Sequence, residues 1–126
     1  VIKDINEISN FGWPIASYGV PYRGPNNYLK SHKLNGFNEP VYYFKEKGIG
    51  ISQIIGYNMK KDKTRYLLTS MWGKSIFFLN FVNDEKLEIH KRIFLRERIR
   101  DIIKIDEKKM YLMVLETSPA IGVIKY

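Results

Sequence analysis

Hydrophobic and polar positions follow two regimes along this chain. From residue 49 onward, short β-branched or alternating runs are cut at near-regular intervals by polar turn clusters. Ile49–Tyr57 (IGISQIIGY) gives way to a turn-prone patch at Asn58–Lys63, and Arg65–Trp72 (RYLLTSMW) to the tight turn Gly73-Lys74. Ser75–Val82 (SIFFLNFV) ends at Asn83-Asp84-Glu85, and Leu87–Leu95 (LEIHKRIFL) alternates. The cycle restarts with Ile99–Ile105, a turn at Asp106–Lys109, Met110–Glu116, a turn at Thr117–Ala120, and Ile121–Tyr126. Period-two alternation in short runs bounded by turn residues predicts strands, here four antiparallel strands followed by three more.

Turn signals recurring about every ten residues are the mark of an all-β chain. Two similar units of roughly 40–50 residues resemble successive blades of a β-propeller; a sandwich also accepts seven short strands, but the recurrence favours blades. The expected organisation is one partial propeller domain over 1–126, with a first blade at 49–97 and a second, incomplete blade at 98–126. Residues 1–48 follow the other regime. Gly12, Pro14, Gly19, Pro21, Gly24, Pro25, Gly36 and Pro40 punctuate this segment too often for a long helix or strand. Interleaved aromatics, among them Trp13, Tyr18, Tyr28 and Phe44, predict a loop-rich cover packed on the core. The one strand candidate near the N-terminus is VIKDINEI.

Composition narrows the function. With 126 residues, 44% hydrophobic and 14% aromatic, the chain can build one core. No apolar run approaches the ~20 residues of a membrane helix, and the opening VIKDINEISN lacks the apolar core of a signal peptide. The start at Val1 reads as a processed product, an expressed segment or part of a longer protein. The absence of cysteine excludes disulfides, thiolate metal sites and a cysteine nucleophile. His32 and His90 are too isolated for a metal site. The net charge of +8 comes from scattered lysines without a basic helix, zinc knuckle or stacking aromatic pair, so no nucleic-acid partner is expected.

One stretch concentrates chemistry. Arg98 and Arg100 stand two apart at the start of a predicted strand, where residues i and i+2 share a face. Two planar guanidinium forks side by side suit a carboxylate. The alternative at this point is a pair of solvated edge arginines.

Four segments resemble one known family. Asn10-Phe11-Gly12-Trp13-Pro14 with Ser17-Tyr18-Gly19 resembles N-Y-G-W-P…S-Y-G of the glucose/sorbosone dehydrogenases, the soluble PQQ-dependent aldose sugar dehydrogenases. Lys30-Ser31-His32 and Gly36-Phe37-Asn38-Glu39-Pro40-Val41-Tyr42-Tyr43-Phe44 resemble K-S-H…G-F-x-E-P-V-Y-Y-W. Leu67–Gly73 (LLTSMWG) resembles L-F-V-G-S-L-K-G, and Arg98-Ile99-Arg100-Asp101 resembles R-x-R-D. The resemblance implies a six-bladed β-propeller, of which this chain matches the C-terminal part. It implies oxidation of an aldose anomeric hydroxyl to the lactone, with hydride transfer to PQQ and a calcium ion as Lewis acid. It also implies a periplasmic or secreted location.

Carried over by motif, Arg98 and Arg100 become PQQ contacts. Trp72 stands where the family has its PQQ-contacting lysine, and Lys74 is the candidate substitute. Trp13 and Trp72 are the candidate sugar-stacking residues. The family's catalytic histidine and calcium-binding segment lie upstream of the N-Y-G-W-P element; neither His32 nor His90 takes the catalytic position, and no catalytic or metal-ligating residue is assigned. The segment W-x-P-S-x-A-P-S-G is reduced here to Phe44–Ser52. The alternative expectation is a non-catalytic propeller-derived binding or scaffold module, including a self-assembling one in which three two-blade copies close a ring.

Overall fold

The structure is a computed structural model that describes residues 8–21, 23–45, 48–60, 63–83 and 86–125. The chain is all-β. Strands β1 (Ile51–Lys60), β2 (Lys63–Ser70), β3 (Ser75–Asn83) and β4 (Lys86–Phe94) form one antiparallel sheet in sequence order. Strands β5 (Ile99–Ile105), β6 (Met110–Leu115) and β7 (Ala120–Lys125) form a second. All seven expected strands are present in order. The first corrects its expected end: β1 continues to Lys60 and pairs with Lys63, where a turn was expected. Residues 1–7 of the strand candidate VIKDINEI and the turn residues Asp84-Glu85 lie outside the described residues. Among the described residues no helix is long and apolar enough to cross a membrane.

Alternation decides which side chains meet. Ile55, Tyr57, Leu67, Ile76 and Phe78 project from one face of the first sheet. They pack against Ile99, Ile102, Tyr111 and Met113 of the second. The opposite face carries Leu68, Phe77 and Leu79, covered by Ile49 and Phe44, with the Phe44 ring edge-on to Phe77 at 5.1 Å. The first sheet is therefore buried on both faces at its centre, which explains the nearly continuous apolar run of β3, a pattern typical of doubly covered strands. Each such Leu, Ile or Phe contributes about 1.5–3 kcal/mol on burial. The outer face of the second sheet is different: Ile103, Val114, Ile121 and Val123 are exposed there.

The segment before β1 is a closed loop held by its own contacts. Ile15 and Ala16 donate to the Gly12 carbonyl at 2.7 and 2.8 Å, and Ala16 forms an isolated bridge with Leu29. Gly12 has φ +84°, and a Cβ there would lie 2.7 Å from the Phe37 ring and 2.9 Å from the Ala16 Cβ, so only glycine fits. A 3₁₀ turn at Lys33–Asn35 is the one helical element of this segment among the described residues, in line with its Gly/Pro punctuation.

Candidate functional site

The two arginines converge. Arg98 Nη1 donates to Glu116 Oε1 at 2.6 Å, and Arg100 Nε contacts Glu116 Oε2. The β5–β6 hairpin sets this up. A one-residue bulge at Arg100 shifts the register between Ile99↔Leu115 and Asp101↔Val114, and the Glu116 N–H donates to the Arg98 carbonyl at 2.9 Å. The Arg98 and Glu116 side chains are 28% and 29% exposed, so this pair is screened less than a fully solvated surface pair. Arg98 Nε is buried without a hydrogen-bond partner among the described residues. Asp101 points its carboxylate elsewhere: its Oδ1 accepts from the Ile102 N–H and from Gln53 Nε2, tying the two sheets together.

Trp72 brings the aromatic component. The Arg98 guanidinium lies over its ring at 4.9 Å from the centroid, a cation–π contact. Gly50 seats the ring. Its φ is +55°, its carbonyl accepts from the Met71 N–H at 2.8 Å, and a Cβ would lie 2.7 Å from Trp72 Cδ1. Lys74 follows the bend at residues 71–73 and has φ +46°, so the extended relation that would align it with Trp72 is not present. Its charge acts on Glu97 instead. The Glu97 carboxyl is held below its ordinary range first by the Ser118 hydroxyl, then by the Ser118 N–H and the Lys74 ammonium.

Trp13 lies in a separate cleft. This cleft, of about 370 Å³, is walled by Trp13, Tyr18, Tyr28 and Phe44 and shares the Gly50–Ile51 backbone with the Trp72 side. The Trp13 and Tyr28 ring centroids lie 5.4 Å apart, and Trp13 is 70% exposed. Tyr18 is stacked between His32 and Tyr43 and donates to Glu39 Oε2 at 2.9 Å, which raises its own pKa. His32 is buried, with Nδ1 3.0 Å from the Phe11 carbonyl, which accepts its proton. His90 is exposed on β4. Among the described residues no three His, Asp or Glu side chains gather as a metal cluster.

With this geometry in place, the comparisons with known proteins are specific. Residues 2–121 match the family described as Glucose / Sorbosone dehydrogenase. The chain belongs to that family. It is 27% identical over 117 residues to the aldose sugar dehydrogenase YliI of Escherichia coli (strain K12), covering 86% of this chain and 30% of the relative. The chain thus spans less than a third of the length of that relative. No solved structure matches.

In this glucose/sorbosone dehydrogenase family member the structure brings Arg98, Arg100 and Trp72 together and sets beside them Glu116, which the motifs do not single out. Its signal was available in part. Counting outward from the Ile105↔Met110 pair sets Arg98 across from Thr117, one residue from the true neighbour. Chemically, the Arg98–Arg100–Trp72 group offers cationic forks, an unsatisfied buried N–H and an aromatic face. Those are the features an aromatic polycarboxylate requires.

Proposed function

We propose that this chain is part of a PQQ-dependent aldose sugar dehydrogenase-like protein, oxidising a sugar anomeric hydroxyl to the lactone, with Arg98 and Arg100 gripping a PQQ carboxylate. The observation that carries this reading is the convergence of both guanidiniums on one carboxylate while Arg98 Nε is left buried and unpartnered. PQQ, when bound, supplies the hydride-accepting quinone. This chain's residues bind and orient. The arginine forks fix a carboxylate, Trp72 offers its ring beside Arg98, and Lys74 adds positive charge at Glu97. Trp13 and its cleft suit the apolar face of a pyranose. The resemblance puts the calcium ligands upstream of the N-Y-G-W-P element, so no residue here is assigned to that ion.

In this reading the two sheets are two blades of a β-propeller. Support comes from their meander order and from the exposed apolar row Ile103, Val114, Ile121 and Val123, a face suited to the next blade. The periplasmic or secreted location belongs to the same proposal. One observation favours the non-catalytic binding module instead: Trp72 replaces the family lysine, removing a cation from the clamp.

Titration with PQQ in the presence of Ca²⁺, followed by absorbance, tests the proposal. Saturable binding that weakens at least tenfold in Arg98→Ala and Arg100→Ala is expected. Binding unaffected by either change, or no binding, overturns the cofactor role.

A further inference from the structure

We propose that Glu116 sets the anion affinity of the arginine pair: it is a resident carboxylate whose charge an incoming carboxylate must compete with. This inference rests on reading Arg98 and Arg100 as a carboxylate clamp. Two observations carry it. Glu116 faces both arginines: Oε1 accepts a hydrogen bond from Arg98, while Oε2, buried without a hydrogen bond, is ion-paired with Arg100. The pair therefore presents one net positive charge rather than two. The carboxylate is 29% exposed, so solvent does not cancel its field at a ligand a few ångströms away.

Without the Glu116 charge Arg98 keeps other contacts. Trp72 supports the guanidinium from its face, the Arg98 N–H donates to Thr117 Oγ1 at 3.2 Å, and its carbonyl is held by the Glu116 backbone rather than its side chain. Removing the charge while keeping the shape leaves the Arg98 fork against Trp72 and frees the Arg100 donors for the ligand. A guanidinium without its internal partner is also the stronger attractor for an external carboxylate. The residue thus tunes the clamp downward, trading affinity for reversibility.

The test is a direct PQQ titration of the protein carrying Glu116→Gln and, separately, Glu116→Asp, read by PQQ absorbance and by quenching of tryptophan emission. Glu116→Gln should bind about tenfold tighter, about 1.4 kcal/mol, and the gain should shrink as salt approaches molar concentrations. Glu116→Asp, which keeps the charge, should bind as the unmodified protein does. If Glu116→Gln does not fold, judged by circular dichroism, Glu116→Ala is the second charge-neutral variant, with the same tightening expected. Binding by the unmodified protein that is unchanged or weaker in the neutral variants overturns the inference and leaves the clamp standing. Equal shifts in Gln and Asp variants also overturn it, since geometry rather than charge would then be responsible. No binding by any form overturns the clamp and the inference together.

Discussion

Replacing Gly50 by alanine tests how the candidate site is assembled. Two costs follow from the structure. Gly50 has φ +55°, and a residue with a Cβ held in the left-handed region loses roughly 1–2 kcal/mol. The new methyl would also stand 2.7 Å from Trp72 Cδ1. The backbone cannot retreat, because the Gly50 carbonyl is bonded to the Met71 N–H and the neighbouring Ile49 carbonyl to the Gly73 N–H at 2.9 Å. The ring, 59% exposed, is the part free to move. Swinging it outward breaks the cation–π contact with Arg98, worth about 0.5–1 kcal/mol at an exposed site. The expected destabilisation is about 1.5–3 kcal/mol in urea unfolding. A double-mutant cycle with Trp72→Ala separates the terms. In the Trp72→Ala background only the backbone cost of about 1–2 kcal/mol should remain. A full cost that persists without the indole refutes the reasoning that Gly50 acts by seating it.

Two further outcomes can be measured on the same preparations. Phe77, 2% exposed and capped by the Phe44 ring, should cost about 3–5 kcal/mol as Phe77→Ala, read from the urea midpoint. The Glu39 carboxyl is held low first by the Lys33 backbone N–H, then by the Tyr18 hydroxyl. A carboxyl lowered by folding contributes stability that is complete above its unfolded value and lost as pH falls through the folded one. Thermal midpoints should therefore decline below about pH 4.5, and Glu39→Gln should flatten part of that decline.

The strands were legible because alternation and turn residues agree in this half of the chain. Ser75–Val82 is a case in point: a strand covered on both faces must be apolar throughout, and SIFFLNFV is nearly so. The end of β1 was not legible. Asn58–Lys63 reads as turn-prone, yet main-chain pairing continues to Lys60↔Lys63, and ladder hydrogen bonds do not need apolar side chains. The bulge at Arg100 carries no glycine or proline to mark it. It sets the Glu116 backbone, rather than that of Thr117, across from Arg98. In the loop segment the residues were visible but their partners were not: nothing in the spacing of Tyr18, His32 and Tyr43 says that the three rings stack.

Every hydrogen-bonded strand pair in either sheet joins neighbours in sequence. Among the described strands none waits for a distant segment before its ladder can form, so each hairpin can close as soon as its second strand has emerged from the ribosome. During translation the four-stranded sheet can be complete before Ile99 leaves the ribosome. The Phe44 side of that sheet is covered by chain already made, whereas the Tyr57–Leu67–Ile76 side stays wet until β5 and β6 arrive. That face is therefore open to misassociation during one interval, while residues 95–115 are still emerging.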